Sequence, residues 1–237
     1  MIIGSKIYRF DEIDSTNEYA KSLIKQAPEG TIVLADRQTA GKGRLGKSWY
    51  SPDGGLWMSV ILHPPQISLI SIITGIAICE SLSCYGILAF IKWPNDVLLN
   101  GKKIAGILTE IIGDVVILGI GINLNIRKFP EGLKNYASSV FLETKKHFGK
   151  EMIYQTLCTE LNYCYMLLKN KEVPQILMKW RNYTTMLGRD VIIELPDKKM
   201  MTGRVLDIDN NGSLIIKLPT GKVERILAGE CQLKLVQ

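Results

Sequence analysis

One dipeptide, Asn100-Gly101, constrains the fold of a long stretch of this chain. It separates two runs rich in aliphatic residues, LAFIKWPNDVLL and KKIAGILTEII. Asn-Gly between such runs is the strongest short-range signal for a β-hairpin with a two-residue type I′ turn, because both turn positions need a positive φ. The sequence therefore predicts two antiparallel strands in which Leu98 faces Lys103.

The same register places an acid and a lysine on one face of the predicted sheet. Asp96 is expected to face Ala105, and because side chains alternate along a strand, Asp96 and Lys103 then lie diagonally on the same face. A lysine that is oriented by a carboxylate can serve as an electrophilic group. A cross-strand ion pair on the protein surface fits the pattern equally well.

The stretch GKGRLGKSWYSP, residues 41–52, combines three glycines with three cations. Dinucleotide binding by G-x-G-x-x-G needs a helix after the glycines, and the Trp, Tyr and Pro that follow here argue against one. A protein-kinase loop is also disfavoured, because Ser48 stands where that loop has valine. Two interpretations remain, a solvated surface loop or a flexible loop whose Lys42, Arg44 and Lys47 surround an anion.

Charge and cysteine content argue against several classes of protein. Lys and Arg number 29 against 23 Asp and Glu, but these cations are scattered, unlike the clusters typical of nucleic-acid binding. The five cysteines form no C-x-x-C pair and there are two histidines, which disfavours a disulfide framework, a zinc site and a Ser-His relay. The longest uncharged run, at 64–79, is shorter than the roughly 20 residues of a membrane span, and no signal peptide is evident. We expect a cytoplasmic protein without membrane association.

Hydrophobic periodicity divides the chain into two predicted domains, at 1–187 and 188–237. In the first, a helix begins at Ser15, where Ser15 and Glu18 have capping-box spacing. The remaining predicted elements are strands at 31–36, 56–62 and 115–126, a core helix at about 67–85, and helices at 151–170 and 174–187. From Gly188 onward, five short strands between VIIEL and QLKL indicate a small barrel-like module.

Four ordered blocks, DSTN, RQTAGKGRLGKSWYSP, KWPNDVLLNGKKIAGILTE and GIGINLN, resemble the biotin protein ligases. The resemblance extends over nearly the whole chain. It implies an α+β fold, with a mixed sheet packed against helices as in class II synthetases and a C-terminal SH3-like β-barrel. It also implies that biotin and ATP are substrates, that biotinyl-5′-AMP and pyrophosphate form, and that biotin passes to a lysine of a biotin carboxyl carrier domain. Sheet-edge dimers occur among such ligases, so a homodimer is considered.

The resemblance also implies roles for residues in these blocks. The residues beside biotin would be Ser15, Thr16, Asn17, Gln38, Gly41, Gly43, Lys103 and Gly106. Those at ATP and the adenylate would be Lys42, Arg44, Trp57, Asn95, Gly119 and Asn123, with Asn123 at adenine and Trp57 as a stacking surface. The catalytic residues would be Lys103, Arg44 and Asp96. Mg²⁺ is expected, but the sequence names no protein ligands for it.

This chain departs from the family pattern in its glycine-rich loop. Arginine is usual at the position of Lys42 and frequent at that of Lys47, and lysine lacks the planar fork that grips two oxygens. Arg44 is therefore the stronger candidate for phosphate contact. The ligase-like sequence begins within the first fifteen residues, so no DNA-binding helix-turn-helix is expected. A lipoate ligase or octanoyltransferase of the same fold and a basic nucleic-acid-binding module are the alternatives.

Overall fold

A computed structural model describes residues 2–233, and its main feature is a mixed seven-stranded sheet. The strands are β1 (Ile7–Ile13), β2 (Ile32–Gln38), β3 (Leu56–Leu62), β4 (Phe90–Lys92), β5 (Asp96–Leu99), β6 (Lys102–Ile112) and β7 (Val115–Ile122). They lie in the order β1-β2-β3-β7-β6-β5-β4. β1 and β2 are parallel, and the other neighbouring strands are antiparallel. The expected mixed sheet is confirmed.

Helices cover both faces of this sheet. In residues 2–233 they are α1 (Thr16–Ser22), α2 (Ile70–Ser83), α3 (Val140–Thr144), α4 (Lys150–Lys169) and α5 (Val173–Tyr183). The predicted core helix α2 is apolar on every side and is packed between the sheet, α4 and α5, as expected for a buried helix. α1 packs against β2, β3 and β7 through a separate apolar cluster. Both faces of the central strands are therefore buried.

The C-terminal residues form a second, antiparallel sheet of five strands. These are β8 (Asp190–Glu194), β9 (Met200–Ile208), β10 (Leu214–Lys217), β11 (Val223–Ile226) and β12 (Glu230–Leu233), in the order β11-β10-β9-β8-β12. The predicted five-stranded module is confirmed, although the second half of the predicted QLKL strand lies outside the described residues. Among the helices in residues 2–233, none has the length and apolar character needed to cross a membrane.

The predicted hairpin turn is present between β5 and β6. Asn100 has a φ of 51° and Gly101 a φ of 79°, the positive values that a type I′ turn requires. β6 begins directly after the turn, and its first two residues are Lys102 and Lys103. The turn therefore fixes where Lys103 enters the sheet.

The register of the hairpin is partly confirmed and partly wrong. Leu98 faces Lys103 as predicted, but Asp96 faces Gly106 and not Ala105. The cause is a β-bulge on β6, where Ile104 has no opposite residue on β5. Because Gly106 has no side chain, space is left beside Asp96 for the side chain of Lys103.

β1 and α3 were not predicted, and the strand predicted before Asn100 is divided at 93–95 into β4 and β5. β1 is an edge strand in which Tyr8 and Phe10 pack against the apolar cluster of α1, but Asp11 and Glu12 follow, so its apolar alternation is short. The capping-box prediction was also wrong. Ser15 is the N-cap residue of α1, but its side chain makes no capping hydrogen bond. The Glu18 carboxylate binds Lys21 and Lys42, and the Ser15 nitrogen donates to Asp14 Oδ1 instead.

Replacing Gly101 by alanine tests whether the turn conformation stabilises the fold. A Cβ on Gly101 meets no atom within 4 Å, so the cost of Gly101→Ala comes from its positive φ alone. We expect a loss of about 1 kcal/mol in the free energy of unfolding, measured by urea denaturation. Gly132→Ala is the matched control, because Gly132 is equally uncrowded and lacks a positive φ. Equal free energies of unfolding for the two variants would contradict the assignment of a type I′ turn to Asn100-Gly101.

Candidate active site

A cavity of about 400 Å³ opens on the side of the large sheet that carries α1. Facing parts of β6 and β7 form its floor, and its rim consists of the start of α1, the loop at 41–52 and the KWPND segment. β12 closes one side, so both sheets contribute to the wall. All the predicted site residues line this cavity except Gly41 and Trp57.

One end of the cavity is a buried network of uncharged polar groups. Thr16 donates to Gln38 Oε1 from its backbone nitrogen at 2.8 Å and from its hydroxyl at 3.0 Å. The Ser59 hydroxyl lies 2.7 Å from Thr16 Oγ1 and 2.5 Å from Asn17 Oδ1. Ser15 is buried beside them. Such a network presents fixed donors and acceptors to a small polar ligand group.

Gly119 makes room for this network. A Cβ at Gly119 would lie 2.4 Å from Asn17 Oδ1, closer than any side chain tolerates. The space left by Gly119 is therefore taken by the Asn17 side chain, which also donates to Glu110 Oε2 at 2.7 Å.

The predicted lysine–acid pair lies in the cavity wall. Lys103 Nζ is 2.6 Å from Asp96 Oδ1, and both residues line the cavity. The Asp96 side chain is 17% exposed, and Lys92 Nζ lies 3.7 Å from its other oxygen. The alternative of an open-surface ion pair is therefore excluded, and the structure places a fixed ammonium at the middle of the cavity.

The glycine-rich loop folds over the cavity and is bound at three points. Lys42 Nζ lies 2.6 Å from Glu18 Oε1, and Lys47 Nζ lies 2.5 Å from Glu230 Oε1. Arg44 Nη1 donates to Asn95 Oδ1 at 3.0 Å and, more weakly, to the carbonyl of Gly229 at 3.4 Å. No α-helix follows the loop, as predicted, and a 3₁₀ turn at Arg44–Gly46 occupies its tip.

Hydrogen bonds from lysines favour the ionised form of the two carboxylates that hold the loop. Lys21 and Lys42 lower the pKa of Glu18. Lys47 likewise lowers the pKa of Glu230. Both acids are therefore charged at neutral pH.

Trp49, the tryptophan of the glycine-rich loop, lines the cavity. It was not among the residues selected from the sequence. Its indole rests over Gly106 and Gly121, where added Cβ atoms would lie 2.8 Å and 2.5 Å from ring atoms. The Lys103 ammonium is 5.0 Å from the centre of the Trp49 ring. The signal in the sequence was the pair of glycines, which are direct partners on β6 and β7.

The structure does not bring Trp57 or Gly41 to the cavity. Trp57 is fully buried against Ile126 and Phe129, and its Nε1 donates to the carbonyl of Pro52 at 3.0 Å. Gly41 forms the base of the loop, where its carbonyl accepts from the Trp49 nitrogen at 2.8 Å. Since both faces of β3 are covered, every side chain of this strand is buried, and Trp57 is buried with them.

Two buried polar atoms that face the cavity lack a partner within residues 2–233. They are Trp49 Nε1, a donor, and Asn123 Oδ1, an acceptor. The Asn123 amide is fixed, since its Nδ2 donates to the carbonyl of Ser138 at 2.9 Å. A buried polar atom without a partner costs about 1–3 kcal/mol, which a ligand group can recover. Asn123 Oδ1 is thus the candidate acceptor for a bound molecule, whereas Trp49 Nε1 lies against Gly121 of the sheet.

Comparison with known proteins identifies the family. Residues 9–126 match the model of the Biotin/lipoate A/B protein ligase family, and residues 186–234 match the Biotin protein ligase C terminal domain. The chain is 34% identical over 250 residues to the Bifunctional ligase/repressor BirA of Bacillus spizizenii, across 98% of this chain and 75% of that protein. The chain belongs to the biotin/lipoate A/B protein ligase family.

Other members of the biotin/lipoate A/B protein ligase family are similar over their full length. The Biotin--[acetyl-CoA-carboxylase] ligase of Paracoccus denitrificans is 31% identical over 224 residues, which cover 88% of this chain and 93% of that protein. The structure of the biotin protein ligase from Aquifex aeolicus in complex with biotin and ATP superposes with a TM-score of 0.88 at 31% identity. That match covers 97% of this chain and 99% of the other.

Gly121→Ala tests the position of the Trp49 indole. The new Cβ would lie 2.5 Å from Trp49 Nε1, and we expect the indole to leave its place because it is attached to a loop. Since Trp57, Trp93 and Trp180 are at most 1% exposed, the displaced Trp49 should raise the quenching of tryptophan fluorescence by acrylamide.

The control for this experiment is Gly149→Ala. A Cβ at Gly149 makes an ordinary contact of 3.4 Å with Met152 Sδ, so its quenching should equal that of the unmodified protein. Unchanged quenching in Gly121→Ala would show that the indole lies elsewhere.

Proposed function

We propose that this chain is an ATP-dependent biotin protein ligase. It joins the carboxylate of biotin to the α-phosphate of ATP, releases pyrophosphate, and transfers the biotinyl group to a lysine of a carrier domain. The observation that carries this proposal is the Lys103–Asp96 pair inside a cavity closed by a cationic loop. The likeness to the Aquifex ligase, whose structure contains biotin and ATP, supports the same reading.

The first step needs fixed positive charge, because a carboxylate and a phosphate repel each other. Lys103 is held by Asp96, and Arg44 is held by Asn95, whose Nδ2 donates to the carbonyl of Ile107 at 2.8 Å. Both cations are therefore oriented before the ligands bind. Preorganised donors of this kind stabilise the charge that develops on the reacting oxygens.

The second step needs protection of the adenylate from water. The neutral amine of the carrier lysine attacks the carbonyl carbon of the anhydride, an amide forms, AMP leaves, and the amine loses a proton. Water would compete for the same carbon, so the loop at 41–52 must stay closed until the carrier arrives. Lys103 and Arg44 then stabilise the negative charge of the departing AMP.

The two ends of the cavity suit the two ligands. The ureido ring of biotin has two N–H donors and one carbonyl acceptor, which match the hydroxyl and amide groups of Thr16, Asn17 and Gln38. At the other end, Asn123 Oδ1 would accept from the exocyclic amine of adenine, and Trp49 takes the stacking role that the sequence analysis gave to Trp57. Gly43 allows the loop to approach the ligands closely, whereas Gly106 makes room for the Trp49 indole beside them.

Mg²⁺ is expected to accompany ATP, but residues 2–233 contain no group of three or more His, Cys, Asp or Glu side chains that could hold a metal ion. Asp96, the acid in the cavity wall, is bound to lysine. The protein donors therefore do not form a metal cage of their own. Mg²⁺ would bind mainly through phosphate oxygens.

The carrier and the domain roles complete the proposal. A net charge of +6 suits an acidic biotin carboxyl carrier domain. Residues 1–187 would perform the chemistry, while 188–237 would help to close the loop through Glu230.

All five cysteines are free thiols, which fits a reducing cytoplasm. We also propose a homodimer, and we do not propose that the protein binds DNA.

The deciding experiment is pyrophosphate release from ATP and Mg²⁺ without a carrier, with biotin and lipoate compared side by side. Biotin should give a burst near one equivalent per enzyme, because the adenylate forms once and stays bound. Release with lipoate alone would make the chain a lipoate-activating enzyme, and silence with both would remove the proposed activity.

Lys103→Ala should slow formation of the adenylate by on the order of a hundredfold or more, by analogy with the loss of one preorganised donor. The measurement is the rate of the biotin-dependent pyrophosphate burst. Lys102→Ala is the control, since the neighbouring side chain on β6 is exposed and does not line the cavity. A near-normal burst in Lys103→Ala would remove Lys103 from the mechanism.

A further inference from the structure

Lys42, the loop cation at a position where arginine is usual, is bound by the protein itself. Its Nζ lies 2.6 Å from Glu18 Oε1, and the two side chains are 46% and 36% exposed. Glu18 belongs to α1, whose first residues Thr16 and Asn17 line the cavity. The helix that forms one end of the cavity therefore also holds the loop that covers it.

Glu18 is itself fixed by a chain of charged contacts. Lys21 Nζ lies 2.7 Å from Glu18 Oε1 and 2.7 Å from Glu110 Oε1. Glu110 in turn accepts from Asn17 Nδ2 at 2.7 Å. Because these contacts anchor Glu18 from the side of the sheet, its carboxylate keeps its position whether Lys42 is bound to it or not.

We propose that Glu18 is a positioning residue that latches the glycine-rich loop through Lys42, and that this latch slows the escape of the adenylate. Lys42 then acts through Glu18 and not as a ligand of the phosphates. The effect on the adenylate rests on the proposed function, whereas the latch itself concerns the protein alone.

The alternative role of Lys42 predicts an effect of opposite sign. If Lys42 bound phosphate, removing the Glu18 charge would release Lys42 toward the ligand, and the adenylate would be held as long or longer. If Lys42 is a latch, the same change opens the loop and the adenylate escapes faster. Glu18→Gln therefore separates the two roles.

The test compares Glu18→Gln, Lys42→Gln and the double variant. The enzyme is loaded with labelled biotin, ATP and Mg²⁺, and escape of the labelled adenylate is followed after a chase with unlabelled biotin. We expect about threefold faster escape in each single variant, a size that a half-exposed ion pair can supply, and no further increase in the double variant. In Glu18→Gln, the rate of the pyrophosphate burst should change less than twofold.

Additive effects of the two substitutions, or an unchanged escape rate in Glu18→Gln, would overturn the latch. So would a large loss of burst rate in Lys42→Gln alone. The matched control is Glu224→Gln, which removes the exposed Lys222–Glu224 pair of 2.6 Å in the second sheet and should leave escape unchanged.

A second readout needs no ligand. Trypsin can cut the loop after Lys42, Arg44 and Lys47, and Glu18→Gln preserves all three sites. We expect the loop of Glu18→Gln to be cut about threefold faster than that of the unmodified protein, with Glu224→Gln unchanged. Equal cutting rates would refute the latch.

The two readouts separate failure of the latch from failure of the proposed function. If the unmodified protein releases no pyrophosphate with biotin, the function fails, and proteolysis still decides the latch. If it gives the burst while escape and proteolysis match in all variants, the function stands and the latch is wrong.

Discussion

The antiparallel pairing of β6 with β7 is the constraint on which the candidate site depends. It sets Gly106 directly opposite Gly121, and two adjacent positions without side chains leave a trough in the face of the sheet. The Trp49 indole fills that trough and thereby attaches the end of the loop to the face of the large sheet. Lys103 lies beside the indole, so loop and ammonium are placed by the same two strands.

Residues 42–47 of the closed loop are held by two ion pairs and a hydrogen bond from Arg44, and the partners come from different parts of the chain. Glu18 is on the first helix, Asn95 follows β4, and Glu230 is in the second sheet. Exposed ion pairs of this kind are individually weak and are screened by salt. A cover held by several weak contacts can open for a substrate and close again, which a cover held by a large apolar contact could not do as readily.

Much of the fold followed from local pattern, and the failures have physical causes. The Asn-Gly turn, the apolar helix α2 and the short strands after Gly188 carry strong local signals, and all three were predicted. The bulge at Ile104 was not, because the backbone groups beside it bond to residues outside the hairpin: Lys103 bonds to Tyr136 and Ser138, and the Ile104 carbonyl accepts from Asn123. β1 was missed because its apolar alternation is limited to Tyr8 and Phe10, while its pairing with β2 uses the backbone.

The candidate site shows the same division. Residue types and spacing were enough to select Lys103 and Asp96 and to separate the glycine-rich loop from nucleotide-binding loops that precede a helix. The choice between Trp49 and Trp57 depended on which aromatic ring could occupy the space over two glycines. That space exists only after the strands have paired, so no local pattern could reveal it.

The fixed amide of Asn123 has a consequence for the choice of nucleotide. Its nitrogen is committed to the Ser138 carbonyl, so the group cannot flip to offer a donor. Guanine carries a carbonyl oxygen where adenine carries its amine, and would therefore set two acceptors against each other in a buried position. Under the proposed function, a single backbone carbonyl on a neighbouring loop would thus commit the nucleotide site to one purine.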